Sequence, residues 1–335
     1  MDKERERTPS GMRQAMNKHS HRSYDQENYW RKYAPFFSGG ACVDEANAPV
    51  EEYFSFRGAQ VHVDRYANSE SPFVIVLVHG AGGYGRLLAP YARLAHRAGY
   101  EVVAPDLPGY GLSSTETGFI DCRFWVEVLS ELAASEYRNS GRRIVFVGAS
   151  LGGFLAYVCA VSMPEGTVAG LVATTLADPR DSITRQQFAR NSIVLRVGLP
   201  LLPMFARCMG GLRLPIRWFT KMNAMSNQAA LSRLVAADPL GAGVSLPLRF
   251  MRSIFELRPT VEPGKFLRFP VLLAHPGADR WTPMESSRIF FDRLQCEKTL
   301  VVLDQCGHFP VEEPGFSQLE RSVVAFLEEL KNRPQ

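Results

Sequence analysis

The sequence predicts an α/β fold: a mostly parallel sheet of eight strands, helices on both faces, and a helical cap inserted late in the chain. Three observations carry this reading. Short apolar runs alternate with helix-period stretches along most of the 335 residues, which is the rhythm of strand, helix, strand units. One interval, from Thr175 to Phe266, breaks that rhythm for longer than an ordinary connection. A hydrophobic content of 46% over this length can fill one large core, so a cap within one domain is expected rather than two independent domains.

Taken in order, residues 1–49 are polar and alternately charged and form an N-terminal arm, with the first 25 or so expected as a mobile tail. Tyr29-Trp30 and Tyr33-Ala34-Pro35-Phe36-Phe37 are expected to dock on the domain, since such clusters seldom stay in water without a partner. The core covers 50–176 and 261–335. Tyr53-Phe54-Ser55-Phe56 and Val61-His62-Val63 are alternating runs that read as a hairpin. Strands follow near 73–78, 101–105, 144–148, 168–174, 270–275 and 299–303. Helical patterns fall near 85–98, 119–137, 151–162, 284–295 and 316–331. In the last, Leu319, Val323, Phe326, Leu327 and Leu330 make an i, i+4, i+7, i+8, i+11 stripe that should dock on the sheet. The cap, 177–260, shows no clear strand and reads as helical, proline-broken and apolar, as in Leu199-Pro200-Leu201-Leu202-Pro203-Met204-Phe205.

Composition narrows the function. The six cysteines (Cys42, Cys122, Cys159, Cys208, Cys296 and Cys306) are scattered, without a Cys-x-x-Cys pair, and read as reduced thiols. Met1 to Arg7 runs into polar residues rather than an apolar leader, and no apolar run reaches the roughly 18 residues of a spanning helix, so a cytoplasmic protein is expected. Twelve basic residues stand against four acidic ones from 177 to 260, a surplus of +8 in a chain of net charge +4. One reading of this basic, apolar cap is peripheral contact with an anionic membrane, where each well-placed Lys or Arg adds about 1 kcal/mol. The other is a solvated outer face above an apolar inner wall. No aromatic-basic sheet motif or recognition helix argues for nucleic acid. No His, Cys and carboxylate spacing suggests a metal, and no Gly-x-Gly-x-x-Gly opens a dinucleotide site, so no cofactor is expected.

The chemistry is carried by Gly148-Ala149-Ser150-Leu151-Gly152, which lies directly after Ile144-Val145-Phe146-Val147 and before the helical Phe154-Leu155-Ala156-Tyr157. A serine on a strand-to-helix turn presents its hydroxyl above the sheet. It becomes a nucleophile only if a base takes its proton and a third group orients that base. Asp279 follows the strand 271–274 and His308 follows the strand 299–303, both at the edge where open parallel sheets build their sites. Asp178 and Asp304 are rival acids. Among seven histidines, His308 alone follows both serine and acid with a glycine beside it. His79 is read as shaping its loop, His275 as structural, and Cys306 as a buried thiol behind the histidine. The loop His79-Gly80-Ala81-Gly82-Gly83 follows the strand 73–78. Its Ala81 N–H, with that of Leu151, could receive a developing oxyanion, each such donor being worth about 3 to 4 kcal/mol.

With these residues in place, the chain from about residue 50 onward resembles the α/β-hydrolase superfamily, in particular its monoglyceride-lipase, lysophospholipase and esterase-like branch. The likeness rests on His79-Gly80-Ala81-Gly82, on Asp106-Leu107-Pro108-Gly109-Tyr110-Gly111-Leu112-Ser113, on the Ser150 turn, on Asp279 and on Gly307-His308. The order Ser, Asp, His is the order of that fold. The resemblance implies Ser150 as nucleophile, Asp279 as acid, His308 as base, and Ala81 and Leu151 as oxyanion donors, with His79, Gly80 and Gly82 supporting the loop. With that chemistry, the long apolar cap points to a small-molecule ester substrate whose apolar acyl chain is of medium length or more, such as a monoacylglycerol or lysophospholipid. Serine at the turn, where dehalogenases and epoxide hydrolases of the fold carry aspartate, speaks against those reactions. Thioester, lactone or carbon–carbon hydrolysis and perhydrolysis use the same triad, and a non-catalytic ligand receptor would keep the same fold.

Overall fold

In the computed structural model, residues 22–38 and 40–333 are described. The two alternating runs form a hairpin, β1 (Val50–Phe56) and β2 (Ala59–Tyr66), in register from Val50 opposite Arg65 to Phe56 opposite Ala59. There follow β3 (Phe73–Val78), α1 (Ala89–Arg97), β4 (Glu101–Pro105), the two-residue β5 (Ser114–Thr115), α2 (Cys122–Ser140), β6 (Arg143–Gly148), α3 (Leu151–Ser162) and β7 (Val168–Ala173). The insertion contributes α4 (Ser182–Phe188), α5 (Leu199–Cys208), β8 (Arg213–Pro215), α6 (Ala229–Ala237), β9 (Ser245–Pro247) and α7 (Leu248–Glu256). The chain then returns through β10 (Val271–Pro276), α8 (Met284–Phe291), β11 (Lys298–Leu303) and α9 (Gly315–Lys331).

The main sheet runs β1-β2-β4-β3-β6-β7-β10-β11, with β5 added to β2. From β4 to β11 all neighbours are parallel, while β1, β2 and β5 pair antiparallel. Covered on both faces, β3, β4, β7 and β10 are buried at every residue, which is why they are rich in Val, Ile, Leu and Ala and show no alternation. The edge strand β11 is half-exposed and carries Lys298 and Thr299, as an edge facing water should.

Helix boundaries follow local chemistry. Asp121 caps α2 by accepting from Phe124 N at 2.8 Å, and Gly141 ends it in the left-handed region at φ 68°. The α9 stripe of Leu319, Val323, Phe326, Leu327 and Leu330 is buried as expected. Each of these side chains contributes roughly 1.5–3 kcal/mol by leaving water. Helix α9 packs on β7, β10 and β11 and against α1, while α3 packs on β6 and β7 and against α2.

Two expectations change. The insertion does hold strands: β8 and β9 pair antiparallel with Leu214 opposite Leu246. Three residues closed by Pro215 and Pro247 are too few to display an alternating pattern, and proline is tolerated in such edge positions. The mobile tail expected over the first 25 residues lies outside the described residues as far as position 21. From position 22 the arm is bound to the domain, and the Tyr24 side chain is fully buried. Tyr29, Trp30, Phe36 and Phe37 pack on the core as expected.

Candidate active site

Because β3, β6, β10 and β11 are parallel, the loops leaving their carboxyl ends meet on one edge. Between β6 and α3, Ser150 has φ 56° and ψ −130°, a conformation that costs a serine free energy unless its surroundings impose it. Glycines on either side allow the close approach. A Cβ on Gly148 would lie 2.3 Å from Gly152 O, and one on Gly152 would lie 2.1 Å from Val78 O. The turn is tied to its neighbours by Ala149 N donating to Val78 O at 2.9 Å and Ser150 N donating to Thr174 Oγ1 at 3.3 Å.

His308 lies between the other two groups. Its Nε2 is 2.6 Å from Ser150 Oγ and its Nδ1 is 2.8 Å from Asp279 Oδ2. Asp279 Oδ1 accepts from Trp281 N at 2.7 Å and Thr282 N at 2.9 Å. Burial alone would raise the Asp279 carboxyl, but the neighbouring His308 charge and hydrogen bond and the two backbone donors hold it below the usual range. The Trp281 ring lies 4.7 Å from that of His308, centroid to centroid, and covers it.

The rival acids have other partners. Asp178 is paired with Arg180, at 2.6 Å, and Arg180 also with Glu262, while Asp304 bonds Gln318 on the exposed side of the sheet edge. His79 is buried, and burial lowers it to about 4. Its Nε2 accepts from Leu107 N at 2.8 Å, so Nδ1 carries the proton and donates to Gly80 O at 2.8 Å. The histidine thereby joins the 79–83 loop to the 106–113 loop. Cys306 is buried, which pushes its thiol up to about 12, and Sγ donates to Glu312 O. His275 is also buried and depressed by burial, with Nδ1 against Pro276 O.

Ala81 and Leu151 line the same small cavity as Ser150, together with Thr184, Gln187, Phe188 and Trp281. Neither the Ala81 nor the Leu151 N–H has an acceptor among the described residues. A Cβ on Gly80 would lie 2.9 Å from Ser150 Cβ and 3.0 Å from Leu151 N, so the loop runs directly against the turn.

Sequence reasoning missed Glu312. Its carboxylate accepts from Gly307 N and Ser226 Oγ, each at 2.5 Å, and from Asn227 N at 2.8 Å. Phe309 N also donates to Met225 O, so the histidine loop is fastened to the insertion. The available signal was a carboxylate directly after the apolar run Phe309-Pro310-Val311, four residues from His308.

A serine on a strand-to-helix turn, a histidine bonded on both sides and an open pair of backbone donors, all at the carboxyl edge of a parallel sheet, are the parts that a hydrolase site requires. The family model described as the alpha/beta hydrolase family matches residues 75–316, and the chain belongs to that family. It is 25% identical over 265 residues to a monoacylglycerol lipase of Mycolicibacterium smegmatis, spanning 76% of this chain and 87% of that one. Among solved structures it is similar to the monoacylglycerol lipase of Paleococcus ferrophilus, with TM-score 0.63 and 22% identity over 81% of this chain and 99% of that one. It is also similar to a soluble variant of monoglyceride lipase from Saccharomyces cerevisiae in complex with a substrate analog. There the TM-score is 0.69 with 15% identity over 88% of this chain and 99% of that one.

Proposed function

We propose that the protein is a cofactor-independent serine esterase of lipase type, acting on esters with an apolar acyl chain. The observation that carries this is His308 within hydrogen-bond reach of both Ser150 and Asp279. His308 Nε2 takes the Ser150 proton as Oγ attacks the acyl carbon, and Asp279 balances the imidazolium. The Ala81 and Leu151 N–H groups receive the oxyanion. His308 then protonates the leaving alcohol, and water activated by the same nitrogen releases the acid. A ligand receptor on this fold would need none of these contacts.

The segment 177–260 acts in this reading as a cap. It holds a cavity of about 470 Å3 whose apolar part, Leu195, Leu199, Pro200, Leu202, Pro203 and Phe255, suits an acyl chain, while Arg185, Arg252 and Glu256 also line it. Phe188 lines the small cavity at Ser150, and its ring lies 5.8 Å from that of Phe255, which lines the larger one. The monoacylglycerol lipases to which the chain is similar support an acylglycerol-like substrate. Exposed Ile193, Val197, Met204, Phe205 and Trp218 come from the same stretch as Arg207, Arg213 and Arg217, which are exposed and have no carboxylate partner among the described residues, and this supports peripheral contact with an anionic membrane.

A fluorophosphonate probe tests the nucleophile. It should label the wild type, and Ser150→Ala should abolish both labelling and ester hydrolysis, a loss of roughly 10⁴ to 10⁶ in turnover. More than a few per cent of residual activity in the folded variant would remove Ser150 from the role.

A further inference from the structure

The cavity beside Ser150 has a volume of about 30 Å3, and four hydroxyl residues line it, Ser150, Thr175, Thr184 and Thr282. Ser150 Oγ is engaged by His308. Thr184, 4% exposed, is the one whose Oγ1 is buried without a hydrogen-bond partner among the described residues, an uncommon state for a buried hydroxyl. It stands in the first turn of α4, and one turn further on Gln187 brings a carboxamide to the same wall. Lys221 Nζ donates to the Gln187 Oε1 at 3.3 Å, which ties that carboxamide to the rest of the insertion. Size and chemistry together select the occupant. A water molecule needs roughly 10–15 Å3 of such space and two to four polar partners. Hydroxyl and carboxamide groups both donate and accept, so they suit a small neutral molecule that does the same rather than an ion.

Water is also a reactant at this place. In the second half of the esterase cycle the acyl carbon is bonded to Ser150 Oγ, and water must reach it with one hydrogen directed at His308 Nε2, which lies 2.6 Å from Oγ. The second hydrogen of that water needs an acceptor of its own. We propose that Thr184 Oγ1 accepts it and so holds the hydrolytic water with a lone pair on the acyl carbon. This rests on the esterase reading and adds to it the residue that favours water as acyl acceptor. In the step, the water oxygen bonds to the acyl carbon as its first hydrogen passes to His308 Nε2. The bond from that carbon to Ser150 Oγ then breaks, and His308 returns the proton to Oγ. The acid leaves with the hydrogen that Thr184 held.

Methanol separates this role from a structural one, because its single hydroxyl hydrogen goes to His308 and none remains for Thr184. With p-nitrophenyl butyrate in a buffered mixture of water and methanol, butyric acid and methyl butyrate form from the same acyl-enzyme, so their ratio does not depend on how fast that intermediate forms. Thr184→Val keeps the shape and loses the hydroxyl, and it should raise the ester-to-acid ratio about tenfold, the worth of one hydrogen bond. Thr184→Ala should raise it as well, and Thr184→Ser should stay close to the wild type. A ratio that Thr184→Val and Thr184→Ala leave unchanged, or that Thr184→Ser raises equally, overturns the water site. A wild type that releases no nitrophenol and takes no fluorophosphonate overturns the esterase reading and the water site with it, whereas labelling and turnover with an unmoved ratio overturn the water site alone.

Discussion

Three carboxylates lie after Ser150 near the carboxyl edge of the sheet, and their partners separate them. Asp178 is already balanced by the bidentate Arg180, and Asp304 bonds a glutamine, so Asp279 is the one whose charge is free to serve His308. Asp279→Asn should therefore lower turnover by about 10⁴, since an amide holds the imidazole in the wrong tautomer and cannot balance its charge. Asp178→Asn should do far less. Steady-state rates on a soluble ester, with circular dichroism to verify folding, give the ranking, and the reverse order would move the acid to the end of β7. The positions of Ser150, Asp279 and His308 were readable because each stands within a few residues of the carboxyl end of a strand, β6, β10 or β11. Glu312 was not, because its role depends on Ser226 and Asn227, more than eighty residues earlier in the chain, which only the fold brings beside it.

At the scale of elements, the arm is the part the sequence least describes. Tyr33 and Tyr84 both donate to Asp238 Oδ2, at 2.7 and 2.8 Å, and Tyr29 donates to Leu234 O. Tyr24 donates to Asp106 Oδ2 and stacks between the Tyr84 ring and the Arg86 guanidinium. Phe37 meets Phe309, next to the histidine. The arm thus ties the core, the insertion and the histidine loop together. Alternating charge and a few aromatics predict docking but not a partner, because the arm's one helical element, the 3-10 helix Trp30–Phe36, is too short to show a period. Likewise the parallel strands and α3 were legible from apolar runs, whereas β8 and β9 were too short. Tyr33→Phe should cost about 1–3 kcal/mol by leaving the buried Asp238 short of a donor. Tyr137→Phe, on the exposed side of α2, should change stability by less than about 0.5 kcal/mol. Urea midpoints at unchanged slope measure both. Equal small effects would mean that the arm is not held to the insertion by this bond.

For the whole molecule, exposed apolar side chains and exposed arginines come from one stretch of the insertion, 193–218. Ile193 is 73% exposed, and Met204 and Trp218 are each 53% exposed. Arg207, Arg213 and Arg217, also exposed, have no carboxylate partner among the described residues. Apolar side chains that can enter the acyl boundary, interspersed with cations that meet anionic headgroups, suit a protein lying on a membrane rather than crossing it. Among the described residues no helix is long and apolar enough to cross. Activity on a long-chain ester should accordingly be higher in anionic than in neutral vesicles. The advantage should shrink with salt as the screening length falls from about 10 Å at 0.1 M to about 3 Å at 1 M. Replacing Arg207, Arg213 and Arg217 together by glutamine should bring the anionic-to-neutral ratio towards one. Because the apolar side chains remain, binding to neutral vesicles should change little, which separates the electrostatic part of the contact from the hydrophobic part. Equal rates on the two vesicle types at low salt would leave this face as the plain outer wall of a hydrophobic lid.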